Sequence, residues 1–158
     1  MNIEECHKLL NNVYIDCENL YDEIKNLFSN VKMDSYNSHY IKINSKYEYQ
    51  KYFMPVISIG EIGDICFNLD GISFEFFMDK DNLVNNCNFD ELLNYNVEMY
   101  NAYDSTIDIY EDGLSKDEII SKIIDCKYDK IGITVNLQKE NIENIPTIFS
   151  NICEILKI

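Results

Sequence analysis

The stretch Asp64-Ile65-Cys66-Phe67-Asn68-Leu69-Asp70-Gly71-Ile72-Ser73-Phe74-Glu75-Phe76-Phe77 decides the fold. Asp70-Gly71 is a two-residue type I′ turn signal between alternating apolar residues, a strong short-range mark of a β-hairpin. A turn at that point sets Leu69 opposite Ile72, Phe67 opposite Phe74 and Ile65 opposite Phe76. These six side chains share one face. The other face holds Asp64, Cys66, Asn68, Ser73, Glu75 and Phe77. Such a segment builds an antiparallel sheet with one side buried and the other largely wet.

Upstream, residues 53–59 read as a further strand, closed by the turn Gly60-Glu61-Ile62-Gly63. Residues 38–44 alternate with His39, Ile41 and Ile43 on one face, and a Tyr-rich extended run follows over 46–53. The N-terminal segment is the clearest helix. Ile3, Cys6, Leu10, Val13, Cys17, Leu20, Ile24, Leu27 and Val31 recur at alternating spacings of three and four. A flanking row of His7, Tyr14, Tyr21 and Phe28 widens the stripe, as in a helix lying on a core. A bare coiled-coil seam is narrower, and a homodimer through this helix is the alternative expectation.

Downstream, residues 79–95 turn helical, with Asn88 and Glu91 placed as a cap and its partner. Residues 96–103 fit neither period. Residues 105–110 read as a short strand. Ser115-Lys116-Asp117-Glu118 is a capping box opening a helix that buries Ile119, Ile120, Ile123 and Ile124. Ile131, Ile133, Val135 and Leu137 alternate as another strand. Pro146 suits the first turn of a final helix burying Ile145, Ile148, Phe149, Ile152, Ile155 and Leu156. The expected class is α+β: a mainly antiparallel sheet, a long amphipathic N-terminal helix, and further helices on one face. Without a linker-like segment or an internal repeat, residues 1–158 are expected to form a single domain.

Composition narrows the function classes. The 158 residues include 24 Ile but neither Arg nor Trp, and Asn and Tyr are over-used, a bias of AT-rich codons. The net charge is −15, from 28 acids against 13 Lys. That balance argues against nucleic acid, whose phosphates need a basic surface, and against an anionic membrane. No targeting segment and no apolar span of bilayer length is evident, so the cytoplasm is the expected compartment. The six Cys are scattered without a C-x-x-C, which fits buried small hydrophobes better than a disulfide framework.

Chemical signatures are sparse. His7 and His39 have no Cys or His at ligand spacing, so neither a metal nor any other cofactor is expected. Asp79-Lys80-Asp81 begins like a calcium loop but continues with Leu83 and Val84 where that loop needs an oxygen ligand and a Gly. Gly60-Glu61-Ile62-Gly63 lacks phosphate-loop spacing. Cys6 adjoins His7, but helix neighbours one residue apart do not face each other. Asp104, Asp108, Glu111 and Asp112 form a carboxylate cluster in sequence. In a strand Asp108 points away from Ile107 and Ile109, toward solvent.

The acid is unevenly placed. Residues 61–112 carry a net −12, from 13 acids and Lys80 alone. The rest of the chain is nearly neutral. That stretch reads as an acidic binding face for a basic protein or peptide, with Asp64, Glu75, Phe77, Asp104, Asp108, Glu111 and Asp112 as the candidate contact residues.

The layout of amphipathic helix, consecutive antiparallel strands and later helices in a small acidic chain resembles acidic secretion chaperones. That resemblance implies a non-catalytic protein that holds protein segments, often as a dimer. The opening helix, the Gly60-Glu61-Ile62-Gly63 turn, the hairpin through Phe74 and Phe76, and the late capped helix are together similar to an uncharacterised archaeal family, which implies no activity. The expected function is therefore non-catalytic binding by an adaptor or chaperone-like domain. The alternatives are an immunity protein or inhibitor occluding a basic toxin, and a metal-dependent hydrolase using the carboxylates.

Overall fold

Two long strands form the spine of the molecule. β4 (Gly71–Asp79) and β7 (Lys130–Gln138) pair antiparallel, from Gly71 opposite Gln138 to Asp79 opposite Lys130. The computed structural model describes residues 3–27, 37–38, 55–67, 71–110, 113–138 and 142–158. The expected strands over 38–44 and 46–53 fall almost wholly outside those residues.

The remaining elements attach to this spine. In chain order they are α1 (Ile3–Leu27), β1 (Asn37–Ser38), β2 (Pro55–Ile59), β3 (Gly63–Phe67), then after β4 the helices α2 (Lys80–Asn86) and α3 (Phe89–Leu92). They continue with β5 (Val97–Asn101), β6 (Asp104–Asp108), α4 (Lys116–Asp125) and, after β7, α5 (Ile145–Leu156). The sheet order is β1-β2-β3-β4-β7-β5-β6, every pairing antiparallel. The chain is thus an α+β protein with a long N-terminal helix.

Alternation decides the two faces of the sheet. Ile65, Phe67, Phe74, Phe76, Met78, Val97, Met99, Ile131, Ile133 and Val135 are all buried on the inner face. Above them lies α5, whose stripe of Ile145, Phe149, Ile152, Ile155 and Leu156 is buried too, with Ile148 partly so. Phe149 is the keystone of this contact. Its ring stands edge-on to Phe74 at 4.9 Å and stacks on Phe76 at 5.5 Å. On α1, Cys17, Leu20 and Ile24 are buried, so the helix lies on the core through its stripe. Leu27, at its end, is exposed.

Several local expectations hold. Ser115 and Glu118 form the full capping box: the Ser115 N–H donates to Glu118 Oε2 at 2.8 Å and the Glu118 N–H donates to Ser115 Oγ at 3.4 Å. Pro146 lies in the first turn of α5. Gly60, with φ of 52°, makes the β2–β3 turn.

Others are corrected. The β3–β4 hairpin closes at Phe67 opposite Ile72, with Ile65 opposite Phe74 and Asp64 opposite Glu75. The expected pairs Leu69–Ile72, Phe67–Phe74 and Ile65–Phe76 are thus displaced by two residues. A two-residue shift preserves which side chains share a face, so Ile65, Phe67, Phe74 and Phe76 stay buried and Asp64, Glu75 and Phe77 stay on the other side. Ser73, expected to be wet, is buried, and Asn68 and Leu69 lie outside the described residues. Gly63 accounts for the register: a Cβ there would meet the Glu75 carbonyl at 2.6 Å and the Phe76 ring at 2.7 Å, an approach only glycine permits. Ile124, expected in the core, is 56 % exposed at the end of α4. Asn88 precedes α3 but its side chain donates to Glu91 Oε1 at 2.7 Å instead of capping the backbone. The undecided residues 96–103 contain β5.

Replacing Phe149 removes the ring that joins α5 to β4. Phe149→Ala is expected to destabilise the fold by about 3–5 kcal/mol. Denaturant titration against wild type measures this, and a loss under about 1 kcal/mol contradicts the keystone role.

Candidate functional site on the outer sheet face

The outer face is built by the side chains that the core rejects. Across it, register aligns Asp64 of β3, Glu75 of β4, Thr134 of β7 and Glu98 of β5 in one row. The next row runs Phe77, Gly132, Tyr100 and Asp108. Five residues of these rows, Glu75, Thr134, Glu98, Tyr100 and Asp108, line a cavity of about 450 Å³ with Met99 and Tyr110.

Gly132 makes the shape of this site possible. A Cβ at that position would stand 2.4 Å from the Tyr100 ring, so the aromatic ring lies directly over the glycine of the neighbouring strand. Such rings cover the backbone that a strand glycine leaves bare. Tyr100 and Thr134 share a side-chain hydrogen bond, which holds the phenol over β7. Behind it, the buried Asn101 fixes the β5–β6 turn. Its Oδ1 accepts from the Tyr103 N–H at 2.9 Å and the Asp104 N–H at 3.1 Å, and its Nδ2 donates to Cys126 Sγ at 2.9 Å. That turn returns β6 alongside β5 and delivers Asp108 to the cavity.

The electrostatics are one-sided. Burial, and then the neighbouring Asp64, raise the Glu75 carboxyl above the ordinary carboxylate range. Burial also raises the Tyr100 phenol, against the opposing hydrogen bond from Thr134. Among the described strand residues Lys130 is the one cation, and it sits opposite Asp79 at the far end of the spine. Asn136 Nδ2 donates to Glu98 Oε1 at 2.9 Å, a neutral partner for that carboxylate.

Burial disfavours the thiolate at four of the described cysteines. Cys66 lies on the outer face beside this row, and burial followed by Glu75 and Asp64 push it up to about 12. Burial does the same to Cys17, Cys87 and Cys153, each pushed up to about 12. Thiols so placed stay protonated near neutrality. Among the described residues no three His, Cys, Asp or Glu side chains are grouped to hold a metal ion.

The candidate residues drawn from sequence divide as follows. Asp64 and Glu75 stand directly opposite each other, and Asp108 lines the cavity with Glu75. Phe77 is 48 % exposed on the same face and lines an adjoining cavity of about 480 Å³ with Asp64, Asp79 and Lys130. Asp104 sits at the β5–β6 turn, where its N–H is held by Asn101. Glu111, Asp112 and His39 lie outside the described residues, as does the side chain of His7. Sequence reasoning missed Glu98, Tyr100 and Thr134. Only the pairing of β7 between β4 and β5 brings them to Glu75, and no local pattern announces it.

The fold and this face define a class: an α+β protein with one antiparallel sheet, helices over its apolar side and carboxylates on the other. A solved structure with a similar fold is a conserved hypothetical protein from Pyrococcus furiosus, similar over 99 % of each chain with a TM-score of 0.74 and 21 % identity. At that identity the likeness concerns the fold alone. The neighbour is archaeal, in keeping with the resemblance seen in the sequence. No family model and no curated protein matches the chain.

A raised carboxyl makes the folded state the tighter proton binder. The contribution of Glu75 to stability is therefore full below the ordinary carboxylate range and falls as pH rises through its raised value. Glu75→Gln is expected to stabilise the protein at neutral pH by about 0.5 kcal/mol, a modest gain because the carboxyl is half exposed to solvent. The gain should vanish in acid, where Glu75 is protonated folded or unfolded. Denaturant titrations at both pH values decide this, and an equal gain at both excludes the charge as its cause.

Proposed function

We propose that this protein is a non-catalytic binding domain whose outer sheet face docks a basic protein or peptide. The observation that carries this reading is the row Asp64–Glu75–Thr134–Glu98 with Asp108 beside it. Four carboxylates share a face on which the one described lysine is already opposite another acid. Like charges directly opposite across strands destabilise a sheet, as Asp64 and Glu75 do here. A cationic partner would relieve that repulsion on binding and would be steered toward the face by the net −15 charge. The chaperone-like layout agrees with holding an extended segment.

The test compares two variants, each with four neutralised acids. One carries Asp64→Asn, Glu75→Gln, Glu98→Gln and Asp108→Asn. The other carries Asp81→Asn, Asp117→Asn, Glu143→Gln and Glu154→Gln, all exposed and outside the sheet. Immobilised wild type is expected to retain basic proteins from a native lysate at low salt and release them at high salt. The first variant should lose them and the second keep them. Equal loss in both variants, or no basic protein retained by wild type, would end this reading.

A further inference from the structure

The outer face offers more than diffuse charge, because one part of it is concave and aromatic as well as acidic. Resting on the reading above, we infer that the cavity between β4, β7 and β5 is the anchor of that docking face, and that it receives one lysine side chain of an extended basic peptide.

Charge complementarity selects this occupant. Glu75, Glu98 and Asp108 border the cavity, and among the described residues no cation pairs with Glu75. An anionic or neutral apolar guest would leave these carboxylates desolvated and without a counter-charge, at a cost that an ammonium removes. The walls add a second component. Tyr100 and Tyr110 flank the space, and a cation near such ring faces is attracted by the ring quadrupole. The floor is preformed, since the Tyr100 ring is seated over Gly132 and bonded to Thr134 before any guest arrives. An anchor held in place ahead of binding loses little entropy when the guest enters.

The surrounding surface suits the rest of an extended peptide. Phe77 lies exposed on the same face, with a second cavity bordered by Asp64 and Asp79 beyond it. A strand-like segment alternates its side chains by two, so one lysine can enter the cavity while another reaches the Asp64 side. No bond is made or broken, and the cavity acts by position and charge alone.

The probe is a short alternating Lys-Thr peptide with a fluorescent label, titrated with the full chain at low salt and read by anisotropy. A Gln-Thr peptide of equal length serves as the neutral control. Wild type is expected to bind the lysine peptide and not the glutamine peptide. Glu75→Gln and Tyr100→Leu should each weaken binding at least about tenfold, as loss of a charge-assisted contact or of the ring does. Glu154→Gln, on the exposed side of α5, removes the same unit of charge and should leave binding within about twofold. Thermal melts confirm that the variants are folded. Should Tyr100→Leu fail to fold, Glu75→Gln against Glu154→Gln carries the comparison alone. If those two weaken binding equally, the cavity is not the anchor, while the acidic face as a whole stands. If wild type fails to bind the lysine peptide at low salt, the anchor and the docking function fall together.

Discussion

The antiparallel pairing of β4 with β7 is the constraint on which everything else rests. It runs the full length of both strands and joins segments about sixty residues apart in the chain. Because side chains alternate, its register determines what is buried and what is presented. Phe74, Phe76, Ile133 and Val135 go inward to meet α5, while Glu75, Phe77, Gly132 and Thr134 go outward. A slip of one residue would exchange the two sets and put four large apolar side chains into water, so the burial of the core enforces the composition of the outer face. The candidate site is in this sense a consequence of the core.

β7 also explains why the site contains residues from so many segments. It arrives late in the chain yet lies inside the sheet, with β4 on one edge and β5 on the other. Thr134 is therefore opposite Glu75 on one side and Glu98 on the other. Gly132 is the complementary device. Its missing side chain admits the Tyr100 ring, which would otherwise stand away from the sheet. Small and large residues on adjacent strands have been matched, and the result is a ring held flat beside a row of carboxylates.

Much of the fold was legible because it depends on period. Alternation marks Ile131 to Leu137 as a strand, the spacing of Cys17, Leu20 and Ile24 marks a helix lying on a core, and Ser115 with Glu118 marks the start of α4. These signals are local, and the structure keeps them. The hairpin register was misread because Asp70-Gly71 is also a local signal, whereas the pairing is fixed by the fit of Gly63 against Phe76 and by the long partnership with β7. Parity rescued the outcome: a shift by two leaves Asp64, Glu75 and Phe77 on the wet face. Of the site, the acids on β3 and β4 could be read from one hairpin. Glu98, Tyr100 and Thr134 could not, because they join Glu75 only through pairings that no local pattern specifies. The sequence cluster of Asp104 and Asp108 likewise separates, one residue going to the turn and the other to the cavity.

Several acids on the helical side have explanations that Glu75 lacks. Glu118 completes a capping box, and its two hydrogen bonds from Ser115 hold its carboxyl below the usual range. Asp117 lies in the first turn of α4, where negative charge favours the helix dipole. Asp90 meets Lys116 at 2.8 Å, and Glu91 accepts from Asn88. Each is where local physics would put it. Glu75 is the reverse case, since its surroundings raise its proton affinity and its cross-strand neighbour is Asp64. A threonine at position 75 would suit a half-buried strand position better, and a lysine at position 64 would turn repulsion into attraction. The fold carries this cost on a face that also holds an exposed Phe77 and a cavity walled by tyrosines. On the proposed reading, a cationic partner docked on this face would remove the repulsion between Asp64 and Glu75 that the isolated sheet retains.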